Sequence, residues 1–320
     1  MAMTLNDMKV GMNDKVSEQV VDIFVRESEI LQALPFDNCI SPSGGSTLTY
    51  SYLQTLLPSV ASFRGLNTEY AANEATMVRK SADLKIFGGK FSMDRVLKQA
   101  EGKFNNMAFQ MEQKIKAAVG LFHYTLINGD ATTNALEFDG LDKMLVGTTS
   151  EFNAEGTIDI STMALLKENA DQLYEMLQNL IKATEADALL LNTAMISKIQ
   201  TMARILGYKT ESEEAFGKKI TTMDGVRFMD LKNYYSQGEG VATATPCVAV
   251  AGGVTDIYAV KFGVDDGFHG VTLTGTSGIS QYVPDFSKPG AVKDGEVEMV
   301  AATVLKNTAH AGVLRNVKIA

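Results

Sequence analysis

The chain has 320 residues, of which 29 are basic and 38 are acidic, so its formal net charge is 29 − 38 = −9. With 45% hydrophobic and 21% charged residues it has the composition of a globular protein, which excludes disordered, collagen-like and disulfide-stapled chains. A chain of 320 residues is long enough for about two domains.

The sequence lacks the long apolar segments of a membrane protein. No apolar stretch approaches the roughly 18 residues that a spanning helix needs, and the first residues do not form the apolar core of a secretion signal. We therefore expect a protein of the reducing cytosol. Its two cysteines, Cys39 and Cys247, are far apart and have no histidine at ligand spacing. We expect both to be small buried hydrophobic residues, with neither a disulfide nor a zinc site.

Two segments of different periodicity open the chain. Apolar residues at helical spacing in 14–34, ended by Pro35, predict a short helix on an N-terminal arm. From 47 onward the pattern changes to two strand-like runs, 47–53 and 76–87, on either side of a polar stretch. This change predicts a long hairpin with little core of its own.

The strongest periodic signal runs from Leu97 to Leu126, where apolar residues follow one another at steps of three and four. Ser92 or Asp94 can cap its start, and Asn128-Gly129 supplies a left-handed stop. The pattern predicts one helix of about 32 residues, roughly 48 Å long. That length is typical of a structural spine, and its stripe of methionines and phenylalanines indicates core packing.

Helical and strand patterns alternate in the second half of the chain, which predicts an α/β region followed by more strands. A helix is predicted over 161–183, a buried strand over 188–192, and a second helix that Thr193 caps and that ends at Gly207. Asp224-Gly225 between two apolar runs predicts a hairpin. Further strands are predicted at 255–262, 269–274, 296–305 and 312–319.

The spacings that common catalytic sites require are missing. Gly217 is followed by two lysines instead of the Lys-Ser or Lys-Thr of a phosphate-binding loop, and Gly238-Glu239-Gly240 lacks the third glycine of a dinucleotide site. The three histidines, more than 40 residues apart, show no ligand pattern. We therefore predict no catalytic, cofactor-binding or metal-binding residues. The acidic charge also disfavours tight nucleic-acid binding.

The order of these parts, an arm, a hairpin, a spine helix, an α/β region and returning strands, resembles the HK-97-type fold of the major capsid proteins of tailed bacteriophages. Each of several short stretches is similar to that family's sequences, and their order makes the resemblance specific. They are Ile30–Asp37, Tyr50–Leu53, Leu57-Pro58, Phe63–Asn67, Leu126–Asp130, Glu137–Leu141 and Leu189–Asn192.

The resemblance implies an α+β fold of this type, divided into four parts. Residues 1–45 would form an N-terminal arm and 46–93 an extended β-hairpin loop. A peripheral domain would combine 94–145, which holds the long spine helix, with 290–320. An axial domain would occupy 146–289.

The resemblance also implies a structural function without catalysis. The chain would assemble through pentamers and hexamers into an icosahedral shell that encloses double-stranded DNA without sequence-specific binding, with scaffolding and portal proteins as partners and no membrane. It would be part of the virion, assembled in the cytoplasm of a bacterial host. An encapsulin-like shell around protein cargo is the alternative, and an enzyme whose site forms only on folding is less favoured.

Charge along the chain suggests how copies meet. Residues 64–116 contain 10 basic and 6 acidic residues, whereas 128–189 contain 12 acidic and 3 basic residues. This asymmetry favours docking of the hairpin on a neighbouring copy, although ordinary solvated surface charge explains it equally well. The candidate contacts between subunits are Arg64, Arg79, Lys80, Lys85 and Lys90.

Some capsids of this family join subunits covalently, through a loop lysine and an asparagine of the peripheral domain aided by a buried glutamate. Corresponding residue types occur here: three loop lysines, two asparagines and two glutamates, namely Lys80, Lys85, Lys90, Asn307, Asn316, Glu296 and Glu298. Attack on an amide requires a deprotonated lysine, and therefore burial. Nothing in the sequence indicates such burial, so we predict a shell without cross-links.

Overall fold

The computed structural model describes most of the chain after the N-terminal segment. The described residues are 28–40, 47–57, 59–100, 106–156, 158–207, 211–215, 218–223, 225–237, 242–273, 279–287 and 289–320. Of the predicted N-terminal helix, residues 14–27 lie outside this range. The described part is helix α1, Glu29–Ala33, which ends before Pro35 as predicted and begins where Ser28 accepts a hydrogen bond from Leu31 N–H.

The described helices and strands can be given in chain order. After α1 the helices are α2 Arg95–Gln99, α3 Asn106–Asn128, α4 Leu141–Leu145, α5 Met163–Glu168, α6 Ala170–Thr184 and α7 Thr193–Leu206, with a 3₁₀ turn at Thr308–His310. The strands are β1 Phe36–Asn38, β2 Thr49–Leu57, β3 Thr76–Asp83, β4 Lys85–Asp94, β5 Glu151–Asn153, β6 Ala188–Leu191, β7 Glu211–Ala215, β8 Lys218–Met223, β9 Val226–Asp230, β10 Asn233–Gln237, β11 Ala242–Pro246, β12 Val250–Ala251, β13 Val254–Val260, β14 Phe268–Thr272, β15 Ser280–Tyr282, β16 Val292–Leu305 and β17 Ala311–Lys318.

The predicted spine is shorter than its apolar stripe suggests. Asp94 caps a separate helix, α2, which closes at Ala100, and α3 covers 106–128. Helix α2 is held against the returning chain, because Arg95 N–H bonds to the Ala291 carbonyl and the Lys98 ammonium lies 4.5 Å from the centre of the Phe286 ring. Residues 101–105, inside the predicted helix, lie outside the described residues. The prediction of one uninterrupted helix is therefore wrong at Ala100.

The end of the spine is where the sequence places it, for a different reason. Helix α3 ends at Asn128, but Gly129 does not have a left-handed backbone. A Cβ at Gly129 would lie 2.2 Å from the Phe138 carbonyl oxygen and 2.6 Å from that of Thr125. Close approach of the following loop, and not a positive φ, requires glycine here.

The α/β prediction is largely confirmed, with shifts of a residue at the caps. Strand β6 is fully buried, and Asn192, one residue before the predicted Thr193, caps α7 by accepting from Met195 N–H. Gly207 ends α7 in the left-handed conformation, and Gly225, with φ 80°, lies in the predicted β8–β9 hairpin. The helix predicted over 161–183 is divided at Asn169 into α5 and α6.

Two sheets organise the described chain. The first has the order β1-β14-β16-β15, with β4 paired along β16, and α3 packs against it. The second has the order β5-β17-β13-β6-β9-β8-β7, with β12 beside β13. Two further pairs, β2 with β3 and β10 with β11, form separate two-stranded sheets, and among the described residues their strands do not pair with strands of the first or second sheet.

The second sheet separates two hydrophobic cores. Strand β6 shows this division: Ala188 and Leu190 belong to the core shared with α3 and the first sheet, whereas Leu189 and Leu191 belong to the core beneath α5, α6 and α7. Successive strand residues point to opposite faces. Both faces are therefore covered, which explains a run of four apolar residues without alternation.

Arg315 on β17 forms ion pairs with acidic residues of three other elements. Its guanidinium forms ion pairs with Asp142 at 2.5 Å, with Asp256 at 3.2 Å and with Glu151. Burial raises the pKa of Asp256 despite the hydrogen bond from Asn316 N–H and the nearby Arg315. Three carboxylates from α4, β5 and β13 thus depend on one cation.

Met111 tests the apolar stripe of α3. Its side chain packs with Phe91 and Val297 and is 7% exposed. Because Met111→Asp would bury a charge without a partner, we expect it to lower the free energy of unfolding by about 3 kcal/mol or more. The control Glu112→Gln, at a neighbouring exposed position, should change it by less than about 0.5 kcal/mol. Chemical denaturation measures both, and equal midpoints would contradict the assigned helix face.

Candidate assembly surface

The most exposed part of the described chain is the hairpin of β2 and β3. The two strands pair from Thr49 opposite Asp83 to Leu57 opposite Thr76. Every described residue from 59 to 81 is exposed. A lone two-stranded hairpin is only marginally stable in water, so this segment needs contacts that the isolated chain does not supply.

Large apolar side chains lie in the open on this hairpin. Phe63 and Leu66, in the irregular tip between the strands, are 107% and 95% exposed, and Leu53 and Met77 lie exposed on the strands. Groups of exposed apolar residues often mark interaction surfaces, whereas single exposed apolar residues are common and need no explanation. Sequence reasoning emphasised the charges and missed these residues. No local sequence signal marks Phe63 and Leu66 as exposed, because large apolar side chains are usually buried.

The base of the hairpin is anchored to the first sheet. Tyr50 and Tyr52 pack against its core, and the Tyr50 hydroxyl donates to Asp37 Oδ2 on β1 at 2.6 Å. The pKa of Tyr50 is raised by burial and by this hydrogen bond. Burial alone would raise the pKa of Asp37, but the bonds from Tyr50 and from Asn38 N–H outweigh it and lower that pKa.

The run predicted as one strand over 76–87 changes sheets at Leu84. The Leu84 side chain is buried and its N–H bonds to the Leu48 carbonyl at 2.7 Å. Strand β4 then leaves the hairpin and pairs with β16 from Lys85 opposite Ala301 to Asp94 opposite Val292. The hairpin proper is therefore limited to β2, β3 and the tip between them.

The outer face of the first sheet carries an acidic stripe, Asp294, Glu296 and Glu298, at alternate positions of β16. Asp294 accepts hydrogen bonds from the Ser92 hydroxyl and from the Lys90 ammonium at 2.9 Å, and these bonds lower its pKa. Within the described part of the chain, Glu296 and Glu298 form no ion pair, although Glu296 lies opposite Lys90 and helps to raise the pKa of that lysine. Two carboxylates thus remain available to an outside cation.

The five predicted contact residues fall into two groups. Arg64, Arg79 and Lys80 lie on the hairpin, where Arg64 stands 5.4 Å over the Tyr70 ring and Arg79 donates to Ser51 Oγ at 3.2 Å. Lys85 and Lys90 lie instead on β4 of the first sheet. The structure therefore places three of the five on the projecting element and two on the sheet at its base.

The lysines and asparagines considered for a cross-link lie on different elements of the fold. Asn307 caps the 3₁₀ turn through Ala309 N–H, and Asn316 on β17 donates to Asn153 Oδ1. The pKa of Lys90 is raised by its hydrogen bond to Asp294, which opposes the deprotonation that attack on an amide requires.

Particles boiled in detergent should therefore run as a single band near 34.6 kDa on a denaturing gel. A ladder of multiples would show covalent joining and contradict this prediction. In that event, Lys80→Arg, Lys85→Arg and Lys90→Arg, tested singly, would identify the attacking lysine, because arginine keeps the charge but does not lose its proton.

The described residues include neither a cluster of metal ligands nor a membrane-spanning helix. No group of three or more histidine, cysteine or acidic side chains there is arranged to hold a metal ion. His123 bonds to Ser28 Oγ at 2.7 Å, and His310 lies 3.3 Å from Asp266. Both cysteines are free, and both are buried, as predicted for their side chains. None of the described helices is long and apolar enough to cross a membrane.

The fold matches solved structures of shell proteins over nearly the whole chain. No protein-family model matches the sequence, and no curated protein is a significant match to it. The holo-SrpI encapsulin of Synechococcus elongatus PCC 7942 has a TM-score of 0.66 at 13% identity, over 99% of this chain and 97% of that chain. The capsid of a native GTA particle gives 0.62 at 12%, over 95% of each chain.

The capsid of Myoviridae phage XM1 has a TM-score of 0.52 at 14% identity, over 94% of this chain and 96% of that chain. In all three comparisons, no large part of this chain or of the matched chain is left unmatched. The predicted α+β fold is therefore confirmed for this chain.

Proposed function

We propose that this chain, which has the HK-97-type fold, is the major capsid protein of a tailed bacteriophage and assembles into an icosahedral shell. The observation that carries the proposal is a match over 94–99% of the chain to proteins whose function is to form shells. The hairpin supports it, because exposed apolar residues on an element without a core are stabilised when another copy covers them.

The proposal includes the division of the chain and its partners. The arm is 1–45, the extended loop 46–93, the peripheral domain 94–145 with 290–320, and the axial domain 146–289. Within the extended loop, the β2–β3 hairpin is the exposed part, and β4 pairs with β16 in the first sheet. The shell consists of pentamers and hexamers around double-stranded DNA, with scaffolding and portal proteins as partners, and it is assembled in the bacterial cytoplasm. The chain acts as a structural component and not as an enzyme.

Electron microscopy of the purified chain tests the proposal. Negative-stain images should show isometric shells, or ring-shaped pentamers and hexamers. The protein is purified alone and, separately, after co-expression with other proteins of its source organism. If it stays monomeric in both cases, over a wide range of protein and salt concentrations, the proposal of shell formation is overturned.

An encapsulin-like shell is the second candidate, supported by the match to the SrpI encapsulin. The contents of particles purified from their source distinguish the two. Nuclease-protected double-stranded DNA supports the capsid, whereas protein cargo without nucleic acid supports the encapsulin-like shell.

We also propose that the hairpin docks on a neighbouring copy, with Arg64, Arg79 and Lys80 as its cationic contacts. Glu296 and Glu298, on the exposed sheet face, have the complementary charge. Opposite charges across such a contact increase the association rate and are weakened by salt. Lys85 and Lys90 lie on β4, beside the docking face.

Charge reversal tests the hairpin contacts. Arg79→Glu with Lys80→Glu should slow shell assembly at least tenfold at low salt, because each change replaces attraction by repulsion. Adding Glu296→Lys and Glu298→Lys should restore part of the rate. The control Glu69→Gln with Glu74→Gln should not slow assembly. Light scattering measures the assembly rates. If the Glu69 and Glu74 control slows assembly as much as the Arg79 and Lys80 variant does, the assignment of Arg79 and Lys80 as contact residues is contradicted.

A further inference from the structure

His269 on β14 is a buried base without a complete set of hydrogen bonds. The residue is 0% exposed. Its Nδ1 lies 3.3 Å from the Gly267 carbonyl oxygen, and its Nε2 is buried without a partner among the described residues. The Gly267 carbonyl can only accept, so the neutral ring carries its proton on Nδ1. Nε2 is then an unused acceptor that can take a second proton.

The base of the hairpin closes over this ring. Tyr50, the second residue of β2, meets His269 edge to face with 6.0 Å between ring centres. The same tyrosine donates to Asp37 on β1. His269 thus lies beneath the residue that fastens the hairpin to the sheet.

The surrounding groups do not accommodate a second positive charge. The titratable and charged groups around the ring and Tyr50 are Asp37 and Cys39 at β1, Tyr50 on β2, and Lys306 after β16. Asp37 already accepts the Tyr50 hydrogen bond. The Lys306 ammonium lies 5.6 Å from the Tyr50 ring centre and bonds to the Val264 carbonyl. A proton on Nε2 would therefore be a buried donor without an acceptor, near an existing cation.

We propose that His269 is an acid-sensitive latch, whose protonation loosens the base of the β2–β3 hairpin from the first sheet. When Tyr50 lifts away, water can solvate the imidazolium and supply the missing acceptor. The proposal concerns the single chain and does not depend on shell formation.

The direction of the pH effect follows from linkage. Burial lowers the pKa of His269 below its ordinary value of 6.5, and Lys306 lowers it further, while the backbone of Gly267, the Asp37 carboxylate and the backbone of Gly263 act against this without reversing it. The open form, in which the ring meets water, takes up a proton near pH 6.5, whereas the closed form does so only at lower pH. Opening is therefore favoured as pH falls below about 6.5, by up to about tenfold per pH unit, until the closed form is also protonated.

The two cysteines allow the opening to be measured in the full chain. Cys39 is buried beside the hairpin base, where its carbonyl accepts from Thr47 N–H, and Cys247 is buried at the end of α3, where its carbonyl accepts from Asn128. Labelling with 4,4′-dithiodipyridine, which reacts with thiols in mild acid, gives the rate at each. We expect the ratio of Cys39 to Cys247 rates to rise at least fivefold between pH 7.5 and 5.5.

Variants separate this latch from general acid sensitivity. His269→Gln, which cannot become charged, should keep the ratio constant over the same range. The control His310→Gln, at a histidine that pairs with Asp266 instead of the hairpin, should keep the wild-type rise. A ratio that does not change in the wild type, or that rises equally in His269→Gln, would overturn the proposal.

If His269→Gln fails to fold, a second measurement on the wild-type protein tests the proposal. Deuterium exchange at the imidazole C2–H, read by mass spectrometry, gives the pKa of His269 in the wild type. A value clearly below that of an exposed histidine supports the latch. A value at or above 6.5 would overturn it.

Discussion

A chain in which residues 55–77 are replaced by Asn-Gly is expected to fold normally and to lose shell assembly. Gln54 and Val78 are directly paired across β2 and β3, so a two-residue turn can join them without changing the strands. The replacement keeps Tyr50, Tyr52 and Ala82, which pack against the core. The removed residues 59–77 are all exposed and contribute little to the stability of the single chain.

Two measurements on this variant decide the outcome. Its thermal midpoint should lie within a few degrees of the wild type, since the removed residues 59–77 are all exposed. Its size in solution should be that of a monomer or a small ring under conditions in which the wild type forms shells. Intact shells from this variant would contradict the role of the hairpin in assembly. A shorter deletion confined to 62–70 tests whether the tip alone is required.

Arg315→Met is expected to be the most destabilising single substitution at a charged residue. It leaves Asp142, Glu151 and Asp256 close together without their shared cation. Removing one partner of a fully buried ionic network typically costs about 3–5 kcal/mol. Because the side chains of Arg315, Asp142, Glu151 and Asp256 are 18%, 46%, 24% and 27% exposed, solvent screens part of this effect, and we expect a loss of about 2 kcal/mol. Chemical denaturation should show this loss in the free energy of unfolding.

Lys318→Met is the matched control on the same strand. Lys318 pairs with Asp159 at 2.8 Å, but its side chain is 51% exposed, and exposed pairs contribute about 1 kcal/mol or less. Adding Glu151→Gln to Arg315→Met should recover part of the loss, because one repelling charge is removed. Equal losses from Arg315→Met and Lys318→Met would show that the network contributes no more than a surface pair.

The hairpin deletion could be designed sharply only with the structure. The sequence predicts an extended loop over 46–93, and removing all of it would also remove β4. Strand β4 pairs with β16 along ten residues and is part of the first sheet. The bend at Leu84, which transfers the chain from hairpin to sheet, depends on a contact with Leu48. No periodicity within the run indicates that change.

The candidate surface was only partly predictable. Composition and order identified the charged hairpin residues Arg64, Arg79 and Lys80, because an exposed hairpin is recognisable from strand patterns around a polar stretch. The exposure of Phe63 and Leu66 could not be read from the sequence, since large apolar residues are usually buried. The availability of Glu296 and Glu298 depends on which face of β16 is covered.

The sequence alone determined the elements whose signals are local. Apolar spacing placed α3 and α7, and turn chemistry placed the β8–β9 hairpin and the end of α7 at Gly207, because helix periodicity and a positive φ are properties of neighbouring residues. Only the tertiary structure decided the break at Ala100, the need for glycine at 129, the network of Arg315 and the position of His269 under Tyr50. Each of these depends on groups brought together by packing, including pairs more than 150 residues apart such as Glu151 and Arg315. Local patterns carry no record of such distant contacts.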